Sequence, residues 1–348
     1  MAPSLMQRVA DGKILTRAEA EEAMEEILSG RVETPEIVSL LLGMNARPIQ
    51  PQELAGFAAI MRGHAATVFA DERLSPPHLV DTCGTGGDGC DTFNISTAAA
   101  IIASAAGAYV AKHGNRAASS RCGSADVLEA LGVRVDIPFQ RCGDAIRELG
   151  LGFLFAPAAH AATRHATAAR KQIGVRSVFN LLGPLTNPAG AHSQVVGVYS
   201  ADVIDLMAAT LAELGTQRAL VVHGADGLDE ISVSGETFVA EIHNGQARRF
   251  TITPEDFGVT RSPIETLRAS TAENPAAENA TFIRGVLDNQ PGPRRDVAVI
   301  NAAAALVVSG IAKDFRDGAQ LAANAISSGL AKQKLAAFVA FTNQTSPS

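Results

Sequence analysis

Positive charge is in short supply. Lysine and arginine number 29 against 36 aspartates and glutamates, so the formal net charge is -7 and the sequence pI is about 5.6. Without a global basic field, nucleic acid is not expected as a partner, and any polyanion site must be a local pocket. Cysteine is scarce too: Cys83, Cys90, Cys122 and Cys142 show no C-x-x-C spacing. No charged, apolar, small-residue leader is recognisable at the N-terminus, so a reducing cytoplasm is the expected home. Long hydrophobic runs are also missing. The most apolar stretches, 95–110 and 297–308, are alanine-rich and fall short of the roughly 20 residues that span a bilayer, so no membrane segment is expected. Internal repeats and long low-complexity tracts are absent.

What is present is a 348-residue chain with 47% hydrophobic residues, enough for a full core and, on length, for two domains. The first part, 1–70, reads as helical. Thr16 and Glu19 make a capping box, and Ala20, Ala23, Met24, Ile27 and Leu28 follow with one-face spacing until Gly30. Thr34-Pro35 starts a second helix, and a third is expected from Pro51 to about His64. Residues 71–77 form the expected hinge.

From Leu79 onward, short apolar segments alternate with helical ones. Strands are expected at 79–80, 108–111, 133–137, 153–156, 194–199 and 218–223, and helices at 96–106, 125–131 and 202–214. That rhythm implies an α/β fold with a mostly parallel sheet, whose ligands sit beyond the strand C-termini. Residues 230–250 alternate like a hairpin around Asn244-Gly245. A helix is expected at 282–287, and alanine-rich helices close the chain from 296 to about 341.

Two glycine-rich stretches carry the chemistry. The first is Gly84-Thr85-Gly86-Gly87-Asp88-Gly89, running on to Thr92-Phe93-Asn94-Ile95-Ser96-Thr97; the second is Lys112-His113-Gly114-Asn115-Arg116-Ala117-Ala118-Ser119-Ser120. Glycines let backbone N–H groups turn toward an anion, and a helix N-terminus near Ser96 would add to them. Neither the dinucleotide nor the Walker A fingerprint fits this loop. Lys112 is expected at a strand end facing phosphate as a point charge, with Asn115, Ser119, Ser120 and Ser124 as hydrogen-bond donors. Further on, Asp226, Asp229 and Glu230 crowd a strand end, and Asp229 and Glu230 suit a hard cation such as Mg²⁺ shared with substrate phosphate. Arg170 has the planar fork for a carboxylate, although a helix-surface cation is the plainer account. His160 and His165 lack any nucleophile or metal spacing and read as structural.

Taken together, GTGGDG, TFNIST, KHGNRAxSSxxGSADVLEALG, RSxFNLLGPLTNP and DGLDE, in that order, closely resemble the anthranilate phosphoribosyltransferases. The resemblance covers most of the chain, to Asn301-Ala302-Ala303-Ala304. It implies a small helical domain hinged to a larger α/β domain of the nucleoside phosphorylase/phosphoribosyltransferase type, 1–70 and 71–348, with roughly 160–190 packing back on the first. It implies a homodimer that transfers ribose 5-phosphate from phosphoribosyl diphosphate to the amine of anthranilate. Gly84, Gly87, Asp88, Thr92, Asn94, Ser96, Thr97, Lys112, Ser119, Ser120 and Ser124 would hold the donor. Gly84, His113, Asn115, Arg170 and Pro184 would meet anthranilate, Arg170 on its carboxylate. Two Mg²⁺ ions would sit at Ser96 and at Asp229 with Glu230. No covalent nucleophile or general base is assigned, since departure of diphosphate calls mainly for electrostatic stabilisation and alignment.

The chain departs from the usual pattern at Ala161, Ala168 and Ala169, where His-Pro-Ala and Pro-Val-Arg are the norm, so a less rigid backbone is expected around Arg170. Two other readings share the fold but not these residues: a pyrimidine nucleoside phosphorylase-like enzyme, in which another segment would replace Lys112-His113-Gly114-Asn115-Arg116 and the Asp-Gly-Leu-Asp-Glu turn would be missing, and a non-catalytic relative that binds nucleic acid, against which the acidic balance argues.

Overall fold

The computed structural model describes residues 4–117, 121–269 and 273–344. Four helices come first: α1 (Leu5–Ala10), α2 (Arg17–Leu28), α3 (Thr34–Asn45) and α4 (Pro51–Gly63). The Thr16–Glu19 capping box is present at the start of α2, whose buried face is the expected set Ala20, Ala23, Met24, Ile27 and Leu28. Glu53, in the first turn of α4, is fully buried; its carboxylate accepts from Leu15 N–H at 2.9 Å, from Gln50 N–H and from the Arg47 guanidinium. That one side chain ties the 13–16 turn to α4.

The α/β part runs β1 (Val80–Gly84), α5 (Ile95–Ala105), β2 (Val110–Gly114), α6 (Ser124–Ala130), α7 (Phe139–Leu149), β3 (Leu151–Phe155), α8 (Ala156–Ala159), α9 (Arg164–Ile173), α10 (Phe179–Leu182), β4 (Ser193–Gly197), α11 (Ile204–Glu213), β5 (Arg218–Gly224), β6 (Thr237–His243), β7 (Gln246–Ile252), α12 (Pro275–Leu287), α13 (Pro293–Val308), α14 (Phe315–Ser327) and α15 (Leu330–Asn343). The sheet has seven strands in the order β3-β2-β1-β4-β5-β6-β7. The first five are parallel, and β6 and β7 are antiparallel, joined by the Asn244-Gly245 turn.

Period-2 alternation turns successive strand residues to opposite faces, where they join three clusters, Ala111 and Leu154 packing with Cys142 and Ile146 of α7 in the smallest. Val80, Val110, Phe153, Val195, Leu220 and Val222 pack against α5 and α12 to α15. Cys83, Val196, Val198, Ala219 and Val221 face the other way, in one cluster with residues of α2, α3, α4, α9, α10 and α11. The helical bundle therefore shares its apolar core with one face of the sheet. No helix among the described residues is long and apolar enough to cross a membrane.

One expected strand is absent. Residues 133–137 lie outside the sheet: Val133 and Val135 are buried, but Arg134 N–H donates to Thr342 Oγ1 and Gly132 C=O accepts from Asn343 Nδ2, both near the end of α15. The alternation is real, and a helix terminus rather than a neighbouring strand satisfies the backbone. The following segment, unassigned from sequence, forms α7 and ends on Gly150 in the left-handed region.

Candidate active site

The strand order reverses at β1, with β2 on one side and β4 on the other. In an open parallel sheet, the crevice beyond the strand C-termini at such a switch is where ligands collect. Both glycine-rich stretches and the acidic turn converge there.

Gly84 ends β1 and is paired in register with Gly197 of β4. A Cβ on Gly84 would lie 3.3 Å from both Asp229 Oδ2 and the Gly197 carbonyl, so the loop leaves β1 pressed against the acidic turn. Asp88 Oδ2 accepts from Asp229 N–H at 3.3 Å. Burial pushes the Asp229 carboxyl well above the usual range, and the charges of Asp88 and Glu230 add to it. Burial likewise raises Glu230, against the opposing pull of Lys112. Asp229 and Glu230, desolvated in this way and crowded by Asp88, lack positive charge.

Lys112 supplies part of it from inside. It lies in β2 and is buried; its Nζ donates to Thr82 O at 2.6 Å and Ser96 Oγ at 3.2 Å. The point charge expected to face phosphate is thus an interior ammonium, tolerated because Asp81 and Glu230 lie close, although burial still lowers its pKa. Ser96 is the junction: its N–H donates to Glu230 Oε1 at 3.1 Å, and it sits in the first turn of α5. Asn94 precedes that helix, Nδ2 donating to Cys122 O at 3.0 Å. The buried Oδ1 of Asn94 and Oγ1 of Thr97 have no partner among the described residues. Thr92 bridges to Arg268.

On the second stretch, Asn115 O accepts from Ser124 Oγ at 3.2 Å and from Ala125 N–H, fastening the start of α6 to the end of β2. Ser119 and Ser120 lie outside the described residues. His113 is buried, with Nδ1 3.2 Å from Gly183 O and its ring edge-on to His160 at 5.2 Å; burial holds its pKa down at about 3. Pro184 is buried beside it, its carbonyl accepting from Gln194 Nε2 at 2.7 Å. Arg170 projects from α9 with its guanidinium 5.1 Å over the Phe179 ring, and it makes no carboxylate pair among the described residues. Helix α9 runs unbroken through Ala168 and Ala169.

Sequence reasoning passed over three further residues. Buried Asp81 accepts from His113 N–H at 3.1 Å and from Asn187 Nδ2 at 2.8 Å, while Arg176 donates to the Gly87 carbonyl. Asn187 and Arg176 stood in a recognised motif without a role. Asp81 looks like any strand residue until its burial is known.

The profile described as glycosyl transferase family, a/b domain, matches residues 76–332, and that of the glycosyl transferase family, helical bundle domain, matches residues 3–65. An anthranilate phosphoribosyltransferase of Symbiobacterium thermophilum is 46% identical over 341 residues, 98% of this chain and 98% of that protein. This chain belongs to the anthranilate phosphoribosyltransferase family. The crystal structure of anthranilate phosphoribosyltransferase from Thermus thermophilus is 42% identical, with a TM-score of 0.91 over 98% of this chain and all of that one. The Saccharomyces cerevisiae anthranilate phosphoribosyltransferase has been solved in complex with PRPP and Mg, at 27% identity and a TM-score of 0.83 over 94% of this chain and 93% of that one, and also in complex with 4-fluoroanthranilate.

Proposed function

We propose that the protein transfers the 5-phosphoribosyl group from phosphoribosyl diphosphate to the amine of anthranilate, giving N-(5-phosphoribosyl)anthranilate and diphosphate, a step of tryptophan biosynthesis. One observation carries this reading: a glycine-rich loop and a set of half-buried, cation-deficient carboxylates share the switch point of the sheet, joined through Ser96. An anion cradle alone would take a phosphate, and the adjoining acids ask for a phosphate that brings metal with it.

The residues fit Mg²⁺. Asp229 and Glu230 offer hard carboxylate oxygens beside the glycine-rich loop, a donor set suited to a cation that keeps several waters and takes further oxygens from substrate phosphate. Asp229 and Glu230 are the proposed ligands of one ion and Ser96 a contact of a second. When bound, the metal neutralises charge building on the departing diphosphate.

The chain's own groups do the rest. Gly84, Gly87, Asp88, Thr92, Asn94, Thr97 and Ser124, with Ser119 and Ser120, form the donor site; the buried Asn94 Oδ1 and Thr97 Oγ1 have no partner among the described residues. Lys112 serves the same site through Ser96, holding its hydroxyl and countering Glu230. Arg170 offers its fork to the acceptor carboxylate, while Asn115, His113 and Pro184 wall the acceptor side together with Gly84. His113, neutral at physiological pH, lines that pocket without adding charge. An aromatic amine is already unprotonated at neutral pH, so attack at the anomeric carbon requires alignment more than a base.

The helical part, to about residue 70, is proposed as the smaller domain, packed on the sheet through a shared core, and the protein as a homodimer. Four free cysteines accord with a cytoplasmic enzyme. Incubation with Mg²⁺, phosphoribosyl diphosphate and anthranilate, followed by loss of anthranilate fluorescence, tests the function. Absence of turnover beside brisk thymidine or uridine phosphorolysis would overturn it.

A further inference from the structure

One basic side chain beside the donor loop has no role in this scheme. Arg176 lies between α9 and α10, its guanidinium 4.2 Å over the Tyr199 ring, with Nη2 donating to the Gly87 carbonyl. Tyr199 is fastened to the same loop, since its N–H donates to Thr85 Oγ1 at 3.0 Å and Thr85 N–H donates to Gly197 O at 2.9 Å. From the other side, Asn45 at the end of α3 donates through Nδ2 to the Arg176 carbonyl at 2.7 Å. One residue thus joins the helical bundle, the end of β4 and the glycine-rich loop.

The contact has a directional consequence. A trans peptide is planar and its C=O and N–H point in opposite directions. Holding the Gly87 carbonyl against Arg176 therefore turns the N–H of the same peptide, that of Asp88, to the opposite side, and this N–H has no protein acceptor among the described residues. Gly87 has φ of +79°, and a Cβ there would stand 3.0 Å from Arg176 Nη2, so the missing side chain is what lets the guanidinium close on the loop.

We propose that Arg176 is a positioning residue for the phosphoribosyl donor: braced on Tyr199, it fixes the Gly87–Asp88 peptide so that the Asp88 N–H is presented to the diphosphate. This rests on the donor reading given above. Lysine is a poor substitute, because it can reach a carbonyl but has no planar fork to lie on the Tyr199 ring.

The test is binding of phosphoribosyl diphosphate with Mg²⁺, by titration calorimetry without acceptor, together with steady-state KM for each substrate. Arg176→Ala is expected to raise the donor Kd and KM about tenfold with the anthranilate KM within about twofold of wild type, and Arg176→Lys to fall between. Tyr199→Leu, which removes the brace and leaves the arginine in place, is expected to weaken donor binding in the same direction. An unchanged donor Kd in Arg176→Ala, or in Tyr199→Leu should the first variant fail to fold, overturns the proposal. So does a loss confined to kcat or to the acceptor KM. Wild-type protein that binds no donor would instead sink the donor reading itself.

Discussion

Arg170 shows how little a single residue reveals until its surroundings are known. As a basic side chain near the end of a helix it has an ordinary surface explanation, and the sequence alone favours that explanation. In the fold it lies over the Phe179 ring with no acidic partner among the described residues, and partial burial lowers its pKa. A cation with no carboxylate partner among the described residues suits the anionic ligand proposed for it. Arg170→Ala is expected to raise the anthranilate KM roughly tenfold or more with little change in the donor KM, as removal of a charge-assisted contact should; an unaltered acceptor KM removes the residue from the pocket. The acidic pair allows a test of opposite sign. Burial and Asp88 raise Asp229, so its ionised form costs stability above the ordinary carboxylate range, and that cost is relieved as pH falls. Asp229→Asn should therefore raise the melting temperature at pH 8 without Mg²⁺ while weakening Mg²⁺-dependent donor binding. A lower melting temperature in that variant would contradict the electrostatic account. His113 works the other way. Its neutral form is buried with a pKa held at about 3, against 6.5 for the ordinary group, so folding loses stability as pH falls from about 6.5 toward about 3. His113→Gln should flatten the melting-temperature profile between about pH 6 and 4, and equal slopes in the two proteins would refute this.

At the scale of elements, local signals were legible where the backbone's own hydrogen bonds fix the structure. The Thr16–Glu19 capping box and the Asn244-Gly245 turn follow from short-range chemistry and appear as read. Segment 133–137 misled because strand and buried coil share the same alternation; only its partner, the end of α15 two hundred residues away, tells them apart. Helix α7 is legible in principle, since Cys142, Ala145 and Ile146 share one face between Pro138 and Gly150, although no helix is expected there in the sequence analysis. Buried Glu53 was equally silent in sequence, yet it joins α4 to the 13–16 turn. Removing one partner of a buried ion pair strands the other, which typically costs about 3–5 kcal/mol. Glu53→Ala should lower unfolding free energy by an amount of that order in denaturant titrations while leaving both substrate KM values of the folded fraction near wild type. A loss under about 1 kcal/mol would mean that Arg47, already partly hydrated, finds water instead.

For the whole molecule, the motifs could be recognised in order but not placed around one point. Sequence period distinguishes strand from helix and says nothing about which strand lies next to which. The reversal at β1 puts Gly84, Ser96, Lys112 and the Asp229-Glu230 turn within reach of one another, although up to 146 positions separate them in the chain. The same topology presses the helical bundle onto the opposite face through a common core and the Asn45–Arg176 contact, so ligand in the crevice bears on both parts. A ligand that binds only the folded state stabilises it by about 2.7 kcal/mol at a hundredfold excess over Kd. Phosphoribosyl diphosphate with Mg²⁺ should therefore raise the melting temperature in one cooperative transition, because bundle and sheet share a core. Either component alone should do much less, since the cradle and the carboxylates each lack the charge that the other's ligand brings. The double variant Asp229→Asn, Glu230→Gln should lose most of the Mg²⁺-dependent part of the shift. A full shift in that variant would separate metal from the acidic turn, and two resolved transitions in the wild-type protein would separate the bundle from the sheet.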